Sequence, residues 1–287
     1  MMKIFITGAS SFLCGELINI LKNKHKITVL EHQKRLDGKR MDGINVVRGG
    51  LENLPEWEKA LSGIDVIIHL AGVTHPKEID LYRKINTEGT RRLVESAEKH
   101  RISQFIFIST SAIGENSGAY GESKKEAEQY LLKSSLAYTI LRVGPAYNDN
   151  FTGKEGLASL VSRAKKSFIL PYLSDQNVKF SPIHRDDVLK AILASINNPK
   201  AYFKTYTLNG PESLSNKEIF FRILKRNNTK KLLIPIPTVL ARIIFYISSS
   251  LFKVGAPDQM QRMLSKKEPL SENVLTDLGV SPRKFLS

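Results

Sequence analysis

Two side chains on one predicted helix have the types and the spacing to move a proton. Tyr120 and Lys124 lie four positions apart in the segment AYGESKKEAEQYL, and residues at that spacing share one face of an α-helix. A free tyrosine has a pKa of about 10 and is a poor base at neutral pH. A nearby ammonium favours the phenolate and lowers that pKa, so the pair predicts a general acid and base. The alternative is a solvated helix whose first turn packs one aromatic ring.

A second stretch, ITGASSFLCGEL, follows the first predicted strand and turns into a helix. In parallel α/β folds this is where the pyrophosphate of a dinucleotide meets backbone N–H groups. Such a loop uses three glycines, for a tight turn, for close approach to the phosphates and for helix packing. Only Gly8 is present, and Ser11 and Cys14 occupy the other two positions. The altered loop therefore indicates dinucleotide binding only together with other signals.

One such signal is Glu31, which ends the second predicted strand. A carboxylate at that point accepts hydrogen bonds from the adenosine ribose and repels a 2′-phosphate, which favours NAD over NADP. Lys34 and Arg35 follow closely and could reverse this preference. The alternative for Glu31 is a solvated acid at the end of a strand. Cys14, predicted at a helix N-terminus, is expected to be reactive and to be protected from alkylation by bound NAD.

The elements that position these residues are short apolar runs alternating with helical patterns. Most of the runs are continuously apolar, as in strands covered on both faces, and the runs lie at 3–7, 26–31, 44–48, 65–71, 104–110 and 138–143. The helices are predicted at about 10–23, 55–62, 80–100 and 119–134. This alternation predicts a Rossmann-type α/β fold with a doubly wound parallel sheet and right-handed crossovers.

The regular alternation of predicted strands and helices ends after about residue 144. We interpret 1–143 as a dinucleotide-binding core and 144–287 as mostly a smaller mixed C-terminal lobe that binds the substrate. The lobe is interleaved with the core, because the helix at 186–196 and the strand at 205–209 are candidates to return to it.

Composition narrows the class of protein. The chain has 287 residues, 41% hydrophobic and 25% charged, which is ordinary for a globular protein. A single cysteine excludes an intramolecular disulfide, and the N-terminal residues lack a signal-peptide pattern, so we expect a cytoplasmic protein. The net charge of +15 favours anionic partners such as nucleotides. Neither a nucleic-acid motif nor zinc-ligand spacing is present, so we predict no nucleic-acid partner and no metal.

Seven segments in order then carry a resemblance: TGASSFL, DVIIHLAG, INTEGT, FIFISTSA, YGESK, LRV and SPIHRDDV. Together they resemble the extended short-chain dehydrogenase/reductase family, in its NAD-dependent epimerase/dehydratase branch that acts on nucleotide sugars. The similarity extends from residue 3 to about residue 195, and a weaker similarity continues to the end of the sequence.

The resemblance implies a Ser-Tyr-Lys centre, with Ser111 donating a hydrogen bond to the reacting oxygen, Tyr120 as acid and base, and Lys124 as its partner. It implies NAD(H), favoured over NADP(H), and hydride transfer at C4 of a nucleotide sugar by a 4-ketosugar reductase or a 4-epimerase. Polysaccharide biosynthesis and a homodimer are further expectations. The residues it implies at the cofactor are Gly8, Ser10, Ser11, Phe12, Leu13, Glu31, Leu51, Leu70, Ala71, Gly72, Asn86, Ser109, Tyr120 and Lys124.

Some residues depart from that pattern or stay outside the chemistry. Gly50 stands where the family has an acid that contacts the adenine amino group, and STSAIGEN lacks the Asp-Glu pair of a dehydratase. We interpret His69 as a packed residue at the end of a strand, and His184 as a residue that fixes a loop.

Two other functions remain open at this stage. The altered glycine loop and Gly50 fit a non-catalytic NAD(P)-binding sensor or scaffold. The second is a reductase of a small hydrophobic ketone, in which the apolar helix at 240–254 lines the substrate site. Interruptions at Pro235, Pro237 and Arg242 leave that region too short to span a bilayer. A core or lid helix is our first reading of it, and a peripheral membrane contact through 240–254 is the second.

Overall fold

At the centre of the fold is a seven-stranded, wholly parallel sheet in the order β3-β2-β1-β4-β5-β6-β11. It is seen in a computed structural model that describes residues 1–32, 43–76, 78–151, 157–158, 161, 168–252, 256–265 and 268–286. The predicted fold class is confirmed. The strands of this sheet are β1 Lys3–Thr7, β2 Lys26–Glu31, β3 Asn45–Arg48, β4 Val66–His69, β5 Gln104–Thr110, β6 Ala137–Val143 and β11 Lys204–Leu208.

Helices cover both faces of the sheet, which is why its strands are apolar on both sides. One face packs against α1 and α5, and the other against α3, α4 and the indole of Trp57. Ile4 and Phe5, neighbours on β1, lie in these two different clusters and are both fully buried. The helices are α1 Cys14–Leu21, α2 Leu54–Trp57, α3 Gly89–Lys99, α4 Gly118–Leu132, α5 Arg185–Ser195, α6 Asn216–Arg226, α7 Thr238–Phe252, α8 Ala256–Leu264 and α9 Val274–Leu278.

Two predicted helices differ in detail from the structure. The segment predicted at 55–62 is the short α2 followed by a 3₁₀ turn, Glu58–Leu61, and the long helix predicted at 80–100 starts with a π-helical segment, Tyr82–Glu88. A π-helical segment widens the helix locally and is frequent at functional sites. Here it contains Asn86, one of the predicted site residues.

The second half of the chain contributes to the core as well as to a lobe. β11 pairs with β6 at the edge of the sheet, and α5 packs on the core cluster that contains Ile4. The lobe has the short pairs β7 Ala146–Tyr147 with β10 Ile183–His184, β9 Lys179–Phe180 with β12 Leu214–Ser215, and β8 Ile169–Leu173 with β13 Leu232–Ile236. Helix α6 starts with a capping box made by Ser215 and Glu218, a sequence-coded start signal.

Helix α7 is the apolar helix of the sequence analysis. Ala241 packs in a small cluster with Met260, whereas Leu240, Ile243, Ile244 and Ile247 are each about half exposed. The last two residues of the predicted helix at 240–254, 253 and 254, lie outside the described part of the chain. Over the residues that are described, no helix has the length and apolar character needed to cross a bilayer.

Candidate active site

The carboxyl ends of β1, β4 and β5 meet at one edge of the sheet, beside the point where the strand order reverses. Ligands of open α/β sheets bind in the crevice at such a point. Gly8 follows β1 with φ +82°, and a Cβ on it would lie 2.6 Å from the amide nitrogen of Ala71 and 2.7 Å from the carbonyl carbon of Leu70. Only glycine fits this crossing of two loops. The structure thus brings together Gly8, Leu70 and Ala71, three of the residues that the resemblance implies at the cofactor.

Ser11 changes the anion-binding character of the loop. Its N–H donates to the carbonyl of Gly8 at 2.9 Å, which closes a tight turn. Its Oγ accepts the N–H of Leu13 at 3.3 Å, a donor that a glycine loop leaves for a phosphate oxygen. Ser10 is exposed beside it, and Phe12 is 45% exposed.

Leu13 and Cys14 lie in the core rather than in the crevice. The side chain of Leu13 is buried, so only its backbone can reach a cofactor. The thiol of Cys14 has no exposed surface, and the expectation of a reactive cysteine is therefore wrong. The small residue at this position packs α1 against the sheet, which is also the role of the third glycine in an ordinary loop.

Glu31 lies at the carboxyl end of β2 and is 1% exposed, so the alternative of a solvated acid is wrong. Its neighbour on β3, Arg48, places Nε 3.8 Å from Oε2 of Glu31 and is largely exposed. Sequence reasoning missed Arg48, whose guanidinium opposes the repulsion that a buried Glu31 exerts on a 2′-phosphate. The nearby Lys34 and Arg35 lie outside the described residues.

An acid occupies the space above Gly50, although that residue has no side chain. A Cβ on Gly50 would collide with the carboxylate of Glu52, which folds back over it. Oε1 of Glu52 lies 3.5 Å from Nε2 of His32. Sequence reasoning missed Glu52, and the signal was the acid two positions further along in GGLE. Leu51, predicted at the cofactor, has its side chain in the core against Gly89.

Asn86 fixes the loop that follows β4. Its Oδ1 accepts the N–H of Val73 at 2.8 Å, and its Nδ2 donates to the carbonyl of Val73 at 3.0 Å and to Oγ of Ser123 at 3.1 Å. A Cβ on Gly72 would lie 3.1 Å from Asn86 Oδ1 and 3.8 Å from Lys124 Nζ. Gly72, Asn86 and Lys124 are therefore neighbours, as expected.

Lys124 is buried at the centre of this group, with 3% of its surface exposed. Its Nζ donates to the carbonyl of Ile108 at 2.8 Å and lies 4.1 Å from the ring centroid of Phe107. Burial lowers the pKa of Lys124 to about 7, against an opposing effect of Glu128. The ammonium is therefore only partly charged near neutral pH.

Tyr120 lies on the first turn of α4, one helical turn before Lys124. Its ring packs against the ring of Tyr82, with 5.8 Å between centroids. From the C-terminal lobe, the guanidinium carbon of Arg262 lies 4.6 Å from the centroid of the same ring. Asp258, one turn earlier on α8, accepts the backbone N–H of Tyr120 at 3.0 Å. Sequence reasoning missed Asp258 and Arg262, whose only signal was an acid and a base four positions apart in PDQMQR.

The three hydroxyl residues at the end of β5 differ in what they do. Thr110 caps the strand end by accepting the N–H of Ala112 at 3.2 Å, and the N–H of Ser111 donates to the carbonyl of Val143 at 3.0 Å. Ser109 Oγ is buried and lacks a hydrogen-bond partner among the described residues. A buried hydroxyl without a hydrogen-bond partner is costly, and a polar ligand in the cleft would supply that partner. Together with the glycine crossing at Gly8, it makes the cleft a fit for the polar parts of a dinucleotide.

The two histidines have structural partners, as expected. His69 is fully buried between Oγ1 of Thr7 (2.6 Å) and Oγ1 of Thr90 (2.9 Å). Burial, with a smaller effect of Lys124, holds the pKa of His69 well below its usual value. His184 accepts the N–H of Asp186 at 3.2 Å and so caps α5. Within the described part of the chain, no group of three or more His, Cys, Asp or Glu is placed to hold a metal ion.

Comparison with known proteins agrees with this geometry. The model of the NAD(P)H-binding family matches residues 8–199. The chain is 27% identical to a UDP-glucose 4-epimerase of Vibrio cholerae over 76% of this chain and 73% of that protein. It is 26% identical to a ceramide reductase of Caulobacter vibrioides over 68% of this chain. That second alignment spans 61% of the reductase, less than two thirds of its length.

Among solved structures, a UDP-glucuronic acid 4-epimerase of Bacillus cereus in complex with UDP-glucuronic acid and NAD superposes with a TM-score of 0.77. The superposition covers 99% of this chain and 95% of that one at 20% identity. At this identity the similarity establishes a shared fold.

Proposed function

The chain belongs to the NAD(P)H-binding family, and on that premise we propose that it is a nucleotide-sugar C4 oxidoreductase of the epimerase/dehydratase branch of the extended short-chain dehydrogenases/reductases, a proposal that the similarity to a UDP-glucose 4-epimerase supports. The reaction is hydride transfer at the C4 carbinol or ketone, as in a 4-ketosugar reductase or a 4-epimerase. One observation carries the proposal: Tyr120 lies one helical turn from the buried Lys124, at the carboxyl edge of the sheet beside the glycine crossing.

Each residue of the centre has a defined task in this reaction. When bound, the nicotinamide supplies or accepts the hydride. Tyr120 gives a proton to the substrate oxygen or takes one from it, and Ser111 at the end of β5 orients that oxygen. Lys124 holds the ribose hydroxyls and, when charged, favours the phenolate. Asn86 keeps the backbone beside Gly72 in place for the cofactor.

NAD(H) is the cofactor we propose, in preference to NADP(H). Glu31 is a buried acid at the point where a ribose hydroxyl would donate a hydrogen bond, and its charge opposes a 2′-phosphate. Glu52 supplies the acid that Gly50 lacks and is available to accept from the adenine amino group. Leu70, Ala71 and the backbone from Ser10 to Leu13 complete the walls of the cleft.

A second candidate is a reductase of a hydrophobic ketone. Two observations favour it: the similarity to a ceramide reductase, and the exposed apolar side of α7. Helix α7 leads directly to α8, the helix whose Asp258 and Arg262 contact Tyr120 and its neighbours.

The test is a substrate screen with a matched pair of variants. UDP- and dTDP-sugars, their 4-keto forms and long-chain ketones are incubated with NADH or NADPH, and the nicotinamide absorbance is followed. Tyr120→Phe should abolish turnover and leave NADH binding, measured by calorimetry, nearly unchanged. Tyr130→Phe, on the same helix, is the control and should retain activity.

Each outcome of the screen decides between the candidates. Turnover of a nucleotide sugar that Tyr120→Phe removes supports the main proposal, and turnover of long-chain ketones alone supports the second. Cofactor binding without turnover of any substrate, or an active Tyr120→Phe variant, overturns the assignment of this centre.

A further inference from the structure

Asp258 connects the C-terminal lobe to the first turn of α4. Its Oδ1 accepts the backbone N–H of Tyr120 at 3.0 Å, and its Oδ2 accepts the hydroxyl of Tyr82 at 3.0 Å. Ser117, at the N-cap position of α4, makes no side-chain cap hydrogen bond. The carboxylate of Asp258, 3% exposed, thus satisfies one of the donors that every helix start leaves open.

Arg262 lies one turn further on α8 and closes the network. Its Nε lies 3.1 Å from Oδ2 of Asp258, and its Nη2 donates to the carbonyl of Thr74 at 3.1 Å. The same carbonyl lies 2.9 Å from the hydroxyl oxygen of Tyr82, so it and Asp258 Oδ2 are the two acceptors within reach of the single proton of that hydroxyl. Two partners therefore fix the guanidinium, whose carbon lies 4.6 Å from the centroid of the Tyr120 ring.

We propose that Arg262 is a positioning residue that stabilises the phenolate form of Tyr120, and that Asp258 holds this guanidinium and the start of α4 together. The inference rests on the proposed function in one respect, the role of Tyr120 as acid and base. A guanidinium over an aromatic ring interacts favourably with its π-electrons, and the interaction strengthens when the ring gains a negative charge.

Lys124 alone does not supply a constant positive charge. Burial lowers its pKa to about 7, so its charge changes in the range where the enzyme would work. Arginine keeps its charge at every accessible pH. A phenolate that depends on Arg262 would therefore form over a wider pH range than one that depends on Lys124 alone.

The test measures the ionisation of Tyr120 in the full chain without cofactor or substrate. Tyrosine labelled with ¹³C at Cζ is titrated by NMR, and the Tyr120→Phe variant assigns the signal. We expect Arg262→Leu to raise the pKa of Tyr120 by about one unit or more. Arg262→Lys should retain part of the effect, since it keeps the charge but loses the planar stack.

Two results would overturn the inference. They are an unchanged Tyr120 titration in Arg262→Leu, and equal shifts in Arg262→Leu and Arg262→Lys. Circular dichroism establishes that each variant is folded, and the Lys variant keeps the test open if Leu destabilises α8. Because no substrate is used, failure of the proposed activity leaves this measurement interpretable.

A different surface carries a second inference. On α7, Leu240, Ile243, Ile244 and Ile247 are 48%, 50%, 47% and 52% exposed. These spacings of three and four place them along one side of the helix. Isolated exposed apolar residues are normal, but a contiguous group marks an interaction surface.

The strand pair just before α7 is also apolar on its outer side. Ile169 pairs with Leu232 and Pro171 with Ile234, and all four are exposed. The alternate residues, Leu170 and Leu233, pack against α6 instead. We call the exposed aliphatic residues of this strand pair and of α7 the apolar surface.

The sequence that forms and adjoins the apolar surface is rich in bases, two of which are paired with acids from elsewhere in the chain, Arg222 with Glu212 and Arg226 with Asp149. From Ile219 to Pro257 the sequence contains no acid, while it has the bases Arg222, Lys225, Arg226, Lys230, Lys231, Arg242 and Lys253. The segment 156–174, which includes β8, also lacks an acid and has Arg163, Lys165 and Lys166. Apolar side chains in segments with an excess of bases complement the interface of an anionic bilayer.

We infer that the apolar surface binds peripherally to an anionic membrane. Flotation of the full chain is measured with phosphatidylcholine vesicles and with equimolar phosphatidylcholine and phosphatidylglycerol. We expect binding to the anionic vesicles only, weakened by salt and lost in the double variant Ile243→Glu with Ile247→Glu. Leu275→Glu, at a residue 59% exposed on α9, is the matched control and should bind like the wild type.

The inference is wrong if the wild type does not float with anionic vesicles, or if the double variant floats equally well. It is also wrong if sedimentation gives a dimer that the double variant dissociates, because a second copy of the chain would then cover the apolar surface.

Discussion

Lys124 donates from Nζ to the backbone carbonyl of Ile108 at 2.8 Å, so strand β5 holds this side chain in place independently of any ligand. The price of that placement is desolvation of the ammonium, which lowers the pKa of Lys124 to about 7. The stability of the fold should therefore depend on the protonation of one buried amine.

The first prediction concerns this dependence on pH. Between about pH 7 and pH 10 the unfolded chain keeps the lysine proton while the folded chain has released it. Stability then rises with pH, by at most about 1.4 kcal/mol per unit. Below pH 7 both states bind the proton and the contribution is constant. The free energy of unfolding of the wild type, measured by urea denaturation, should thus increase relative to that of the Lys124→Met variant as pH rises. Parallel curves would contradict the prediction.

The second prediction concerns the phosphate loop. Ser11→Gly frees the N–H of Leu13, which Ser11 Oγ now accepts, and should tighten NADH binding up to about tenfold, or about 1.4 kcal/mol. Calorimetry measures the affinity. Ser103→Gly, at an exposed residue just before the amino end of β5, serves as the control and should leave the affinity unchanged. Weaker binding by Ser11→Gly would mean that the hydroxyl itself contacts the cofactor.

The third prediction concerns the acid over Gly50. If Glu52 accepts a hydrogen bond from the adenine amino group, Glu52→Gln should weaken NADH binding by about 1 kcal/mol, roughly fivefold. Glu56→Gln provides the comparison, because Glu56 lies on α2 and its carboxylate accepts from Asn53. Equal affinities of the two variants would remove Glu52 from the site.

The fourth prediction concerns Gly118, which starts α4 with φ +75° and leaves no room for a Cβ beside Oδ1 of Asp258. Gly118→Ala should cost about 1–3 kcal/mol of stability from backbone strain and crowding. Asp258→Ala removes the crowding but not the strain. The double variant should therefore be more stable than the sum of the two single losses, in a double-mutant cycle followed by thermal unfolding. Strict additivity would exclude contact between the two positions.

The sequence predicted the parallel core well, because continuous apolar runs such as KIFIT and QFIFIST leave few alternatives to strands covered on both faces. The resemblance placed Gly8 and the loop after β4 at one cofactor, and the structure puts them side by side because the carboxyl ends of parallel strands share one edge. The expectation of a reactive thiol at Cys14 was wrong, because a position at a helix N-terminus does not determine which side of the helix packs against the sheet.

Asp258 and Arg262 were beyond sequence reasoning for a physical reason. They lie far along the chain from Tyr120, on helix α8, which was not predicted from the sequence. A local pattern also does not give the direction from which such a helix approaches α4. The burial of Glu31 and the return of Glu52 over Gly50 depend likewise on tertiary contacts with β3 and α2. Local spacing encodes none of these placements.

The position of β11 has a consequence for how this architecture can be divided. Because β11 enters from the second half of the chain and hydrogen-bonds to β6 along the outer side of the sheet, a fragment ending at Val143 would present an open strand edge. Such an edge invites association with other chains. The two halves therefore depend on each other structurally. A recombination between relatives that exchanged only the C-terminal half would have to bring in a seventh strand that pairs with β6 of the recipient.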